Sequence, residues 1–184
     1  MANLVIHDTN DAINSMIGKF TTATLRRGQR FVLGDTANVT GASIWCQNSG
    51  LSNTHSLRIE TDDGADKPSG TLVHANAVES QANTTIPSSE AYLDFSFSEF
   101  ELSAGTYHLV WKSDNEPPSG GNFRRAFWGS DSAGGYGSDS SYWLDSSGLW
   151  TIIAGLDLRF KITGEFSAPA GPPIGSLSTV GIGS

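Results

Sequence analysis

The sequence predicts an all-β fold, a two-sheet antiparallel sandwich. Apolar and polar residues alternate with a period of two in segment after segment, which sends one face of each strand into a core and the other into water. Clusters of Gly, Asp, Asn, Ser and Pro separate these segments at intervals that suit short strands joined by turns. The 21 glycines and only 16% charged residues favour such a fold over long helices. At 184 residues the chain has room for one domain with tails, and a single sandwich of that size buries a full core.

Residues 1–28 read as an N-terminal lead-in, with a short apolar run at Leu4-Val5-Ile6. Ile13, Met16, Ile17 and Phe20 follow at spacings of three and four, a short helical pattern that Gly18 interrupts. The sandwich spans residues 29–166. Arg30 to Leu33 is its first strong strand, and in Val39 to Gln47 the side chains of Ile44 and Cys46 share one face while Trp45 takes the other. In Ser56 to Val73, Leu57 and Ile59 alternate with Arg58 and Glu60, a polar loop runs from Asp62 to Gly70, and an apolar run resumes at Thr71 and continues to Ala77. Leu93, Phe95 and Phe97 alternate cleanly, as do Tyr107, Leu109 and Trp111, with His108 and Val110 in the opposite phase. Phe123 to Trp128, Tyr142 to Leu144 and Leu149 to Ile153 recover strand character around a Gly/Ser/Asp/Tyr segment at 129–141. The last strand, Leu156 to Ile162, has every even position apolar and Asp157, Arg159 and Lys161 between them, the pattern of a half-buried antiparallel strand. The count is eight to ten strands.

Residues 167–184 hold no charged side chain, and their Pro and Gly forbid a helix. Ile174, Leu177, Val180 and Ile182 are too apolar for a solvated linker, so the expectation is an extended arm docked on another subunit through these residues.

The formal net charge of -8 argues against nucleic acid and against an anionic membrane surface, both of which call for a basic face. No stretch is long and apolar enough to span a bilayer, so membrane insertion is not expected. Cys46 is the only cysteine; no internal disulfide can form, and it reads as a small core residue. The start of the sequence lacks a basic stretch leading into an apolar run, so synthesis in a cytoplasm without secretion is expected. The glycosylation patterns at Asn38 and Asn83 are then without consequence.

For catalysis there is no nucleophile elbow, zinc-binding histidine pair, phosphate loop or paired-cysteine site. His7, His55, His74 and His108 are scattered singly, and the phase of His108 places it on a surface or sheet-facing position. Asp62, Asp63 and Asp66 are candidate oxygen ligands for calcium. They miss the EF-hand spacing, so the preferred reading is that Asp and Gly shape the turn, Lys67 balances the charge, and no cofactor is held. The late aromatics Phe127, Trp128, Tyr136, Tyr142 and Trp143, near Arg125, Asp131 and Asp139, are the candidate contact site. Exposed, they would make a glycan platform or a protein-contact patch; buried, a cap on the end of the sandwich.

Four pieces carry a resemblance: Gly28-Gln29-Arg30-Phe31, Ser56 to Val73 with its Asp-Asp-Gly and Lys-Pro-Ser-Gly-Thr-Leu, Leu102 to Trp111, and Asp157 to Ile162. Together, from about Gln29 to Ile162, the chain resembles a group of bacterial and phage jelly-roll modules found in surface-anchored proteins and beside carbohydrate-active domains, which share a fold with several carbohydrate-binding modules. The resemblance implies an antiparallel jelly roll that binds or builds, and it brings no catalytic residues. The expectation that follows is a non-enzymatic virion structural protein of a tailed phage, a capsid decoration or tail-associated subunit, contacting other virion proteins or copies of itself. The alternative is a carbohydrate-binding or adhesion module that recognises a cell-surface glycan.

Overall fold

The computed structural model describes residues 2–8, 24–48, 54–113, 126–128, 130–131, 141–145, 148–153 and 157–167. Its strands are β1 (Ala2–His7), β2 (Thr24–Leu33), β3 (Ala37–Asn48), β4 (His55–Asp62), β5 (Pro68–Leu72), β6 (Val78–Gln81), β7 (Ala91–Leu102) and β8 (Gly105–Ser113). Short strands follow: β9 (Ala126–Trp128), β10 (Ser130–Asp131), β11 (Ser141–Asp145), β12 (Trp150–Ile153) and β13 (Asp157–Leu158), and then β14 (Phe160–Phe166). Among the described residues the only helical turn is a 3-10 turn at Asn83–Thr85.

All the strand pairs are antiparallel, and the described strands form two main sheets. One has the order β1-β14-β3-β7, with β9 continuing beside β3; the other runs β12-β11-β2-β8-β4-β5, with β6 also along β4. β10 and β13 pair separately. The inward faces are those the alternation predicts: Phe31 and Leu33 of β2, Ile44 and Cys46 of β3, Leu57 and Ile59 of β4, Leu93, Phe95 and Phe97 of β7, Leu109 and Trp111 of β8, and Phe160 and Ile162 of β14 are buried in one core. Cys46 is among them, and burial pushes its thiol up to about 12.

Several boundaries differ from the sequence reading. Leu4-Val5-Ile6 belongs to β1, which pairs with β14 and contributes Val5 to the core, and β2 begins at Thr24. The run from Leu72 to Ala77 is not one strand: β5 ends at Leu72, the chain turns, and β6 starts at Val78, because His74 caps a turn by accepting the Asn76 and Ala77 amides on its ring Nδ1 and carbonyl oxygen. Asp157 is buried at 1% exposure instead of facing water with Arg159 and Lys161. Gln29 holds that end of the chain from inside: its Oε1 accepts the Leu158 amide at 2.6 Å and its Nε2 donates to the Asp157 carboxylate at 3.4 Å. The helical pattern within 11–20 and the arm residues Ile174, Leu177, Val180 and Ile182 lie outside the described residues.

A second polar group is built into the core. Trp111 Nε1 donates to His55 Nδ1 at 3.0 Å, so that nitrogen carries no proton, and His55 Nε2 faces Thr85 Oγ1 at 3.4 Å. Thr85 Oγ1 donates onward to the Ala82 carbonyl at 2.8 Å. Phe95 and Trp111 meet the imidazole edge-on, which places both His55 and Trp111 at 0% exposure.

Candidate functional site

The Asp62–Gly70 stretch folds back as a strap across the outer face of the seven-stranded sheet. Its aspartates have separate tasks. Asp62 Oδ1 accepts the Gly64 amide at 2.7 Å while its Oδ2 meets His108 Nε2 at 2.8 Å. Asp63 Oδ1 takes the amides of Ala65 and Lys67, and Asp66 pairs with Arg30 at 3.2 Å. The cation paired with these aspartates is therefore Arg30, where the sequence suggested Lys67, and His108 holds Asp62 by a hydrogen bond. Asp66 has φ +60°, a left-handed turn position that Asp tolerates. Among the described residues no group of three or more His, Cys, Asp or Glu side chains converges to hold a metal ion.

Beneath the strap, His108 and Glu60 are at 0% exposure although both project from the outer side of their strands. Glu60 is held by Arg58 at 2.8 Å and accepts the Gly70 amide at 2.8 Å. Burial raises its carboxyl above the usual range against the pull of Arg58 and the Gly70 amide. Burial lowers the His108 imidazole more than Asp62 raises it. For Asp62 burial works upward, but the hydrogen bonds from His108 and Gly64 and the charge of His108 outweigh it and keep the carboxyl low. The predicted surface or sheet-facing position of His108 is right in phase, and the strap is what closes it off from water.

The outer face of the five-stranded sheet carries a different arrangement. Antiparallel register sets Trp45 opposite Tyr92, Ser43 opposite Asp94 and Gly41 opposite Ser96, with Lys161 and Thr163 of β14 beside Ser43 and Gly41. Trp45 and Tyr92 meet edge to face at 5.1 Å. The Arg159 guanidinium lies over the Trp45 ring at 4.3 Å and Lys161 Nζ over the Tyr92 ring at 3.7 Å. Asp8 anchors both cations. Burial would raise the Asp8 carboxyl, but the hydrogen bonds from Arg159 and Tyr92 and the two positive charges hold it below its ordinary value. Tyr92 moves the other way: burial and the neighbouring Asp8 charge push its phenol up, so it stays a neutral donor.

Next to this aromatic wall the face drops into a groove of about 240 Å³ lined by Thr40, Gly41, Ser43, Asp94, Ser96 and Thr163 among others. Ser43 Oγ donates to Asp94 Oδ1 at 2.6 Å, which orients an exposed carboxylate toward the groove. The volume falls below the roughly 300–1,000 Å³ of drug-sized pockets and suits one small polar ring. Threonine and serine side chains and an oriented carboxylate in this groove, with Tyr92 two residues before Asp94 on the same face of β7, make a surface that can bind a small hydroxylated ligand by hydrogen bonds.

Searched against protein-family models, curated proteins and solved structures, the chain matches none.

Of the late aromatics, the backbone of Phe127 and Trp128 in β9 extends the five-stranded sheet next to Gln47 and Cys46. The backbone of Tyr142 and Trp143 in β11 pairs with Gly28 and Arg27 of the other sheet. Their side chains, and Tyr136 entirely, lie outside the described residues. The outer-face group of Trp45, Tyr92, Asp94, Arg159 and Lys161 escaped the sequence reading because its members come from three strands far apart in the chain. One signal was present: Trp45, Arg159 and Lys161 all fall in the polar phase of strongly alternating strands.

Proposed function

We propose that this protein is a non-enzymatic structural protein of a tailed-phage virion, a capsid decoration or tail-associated subunit that works through protein–protein contacts. The observation that carries the reading is how the reactive side chains are used. His55 and His108 are sealed inside the fold, and Asp62, Asp63 and Asp66 are engaged in holding a strap. Strand order adds support for the jelly-roll form, since successive strands β1, β2, β3 and β4, and later β7 and β8, alternate between the sheets. Large apolar side chains stand exposed near the end strands of both sheets: Ile6 and Phe166 by β1, and Leu149 and Ile152 by β12. These are sites where a neighbouring subunit gains by burying them. Deleting residues 167–184 is expected to abolish incorporation into the assembly while the melting temperature of the body stays within a few degrees of the full chain. A truncated chain that incorporates normally would overturn the docking arm.

A second reading, a carbohydrate-binding or adhesion module, is favoured by the outer-face groove. On a glycan array, Asp94→Ala and Tyr92→Ala are then expected to lose the signal at least tenfold. Loss on Trp128→Ala or Trp143→Ala, with Asp94→Ala unaffected, would move the site to the late aromatics. No signal for the parent chain would remove this reading.

A further inference from the structure

One buried cation has no counterpart among the described residues. Arg27 projects from β2 in the same inward phase as Gln29, Phe31 and Leu33, and it is only 7% exposed. Its Nε and Nη1 are both buried, and neither has a hydrogen-bond partner. Arg30, Arg58 and Arg159 also carry a buried Nε, but each of these side chains meets a carboxylate: Asp66, Glu60 and Asp8 respectively. Arg27 meets none among the described residues. The buried Asp157 carboxylate is held by Gln29, the next inward residue along β2, and makes no ion pair with Arg27. Burial pulls the guanidinium down to about 10, so it is still a cation at neutral pH. A charge removed from water with nothing to balance it is among the costliest groups a fold can retain.

The position of Arg27 also gives a ligand a way in. β11 and β12 carry the seven-stranded sheet beyond β2. Antiparallel register lines up Leu57, Trp111, Arg27, the Trp143 backbone and Thr151 in one cross-strand row on the inward side. Along that row Leu57 and Trp111 are at 0% exposure, Arg27 is at 7%, and Thr151 is exposed. In the next row Gln29 is fully buried while Ile153 of β12 is half-buried. The inward side of the sheet therefore passes from closed core to open ledge at Arg27.

We propose that Arg27 is the anion-binding group of a site at the end of the sandwich, and that its ligand is the carboxylate of a small organic acid entering over Thr151 and Ile153. A planar guanidinium donates two parallel N–H bonds to the two oxygens of a carboxylate, and one charge of each sign balances the site. A phosphate dianion suits it less well. A single guanidinium balances one negative charge, and the Asp157 carboxylate beside Gln29 repels the second. The depth of the guanidinium favours a ligand small enough to pass the ledge.

The test is a titration of the full chain at pH 7 with sodium acetate against sodium chloride at constant ionic strength, read by NMR of the arginine Nε–H groups. The Arg27 signal, assigned through its backbone, is expected to shift saturably with acetate and not with chloride. Acetate at ten times its dissociation constant should raise the ratio of folded to unfolded chain about tenfold. Arg27→Met removes the charge and keeps an unbranched side chain, so its stability should not respond to acetate. An Arg27 signal unmoved by acetate, or an equal gain in Arg27→Met, would overturn the site. A response to phosphate as strong as that to acetate would overturn the carboxylate, and a signal that follows protein concentration instead would put an acidic side chain of a second copy in its place. Should Arg27→Met fail to fold, the parent decides alone: a saturable acetate shift supports the site, and an unmoved signal overturns it.

Discussion

Replacing Trp111 by alanine is expected to cost about 3–5 kcal/mol, the range for deleting a large aromatic from a packed core. At this chain length that lowers the melting temperature by roughly 6–20 °C. Trp111 is fully buried on the inner face of β8 and meets His55 edge-on at 5.8 Å. Its indole N–H is the donor to His55 Nδ1, and the chain of hydrogen bonds ends at the Ala82 carbonyl. Trp111→Phe keeps most of the ring volume and removes only the N–H, leaving a buried imidazole acceptor without its donor, at about 1–3 kcal/mol. The gap between the two variants separates packing from hydrogen bonding. No loss for Trp111→Phe in chemical denaturation would mean that the His55–Trp111 bond contributes nothing beyond the packing of the ring.

Gly164→Ala is expected to destabilise by about 3 kcal/mol or more, at the upper end of overpacking effects, because the obstacle is backbone. A Cβ at position 164 would lie 2.0 Å from the Asn38 carbonyl oxygen of the neighbouring strand. The pairing of β14 with β3 shifts register between Thr163 and Gly164, and that irregularity brings the two backbones together. Gly41 occupies the matching irregularity between β3 and β7, where a Cβ would meet the Phe95 carbonyl oxygen at 2.6 Å. Gly34 supplies the control: nothing lies within 4 Å of its added Cβ and its φ is not positive, so Gly34→Ala should be stabilising by about 0.4–1 kcal/mol. Denaturation midpoints that moved alike for Gly34→Ala and Gly164→Ala would show that the close approach is absent in solution.

The faces of the strands were legible in the sequence because alternation is a local property. Leu57 and Ile59, Leu93, Phe95 and Phe97, and Leu109 and Trp111 are all buried on the sides their phase predicts. The turn chemistry of Asp62, Asp63, Gly64 and Gly70 was legible for the same reason. What failed was the inference from phase to exposure. Glu60 and His108 stand in the outward phase and are buried, because the strap folds over them. Asp157 stands in the charged phase and is buried, because Gln29, 128 positions earlier, offers it a hydrogen bond.

By itself, then, the sequence determined the all-β class and the inward faces, since a period of two needs only near neighbours in the chain. Tertiary structure alone decided the strand order and the grid of Trp45, Tyr92, Lys161 and Asp94 beside the groove. It alone also decided which outward residues stay wet and which lie under a cover. Each depends on cross-strand register and on loops crossing a sheet, and both bring together residues whose separation in the chain carries no periodic signal.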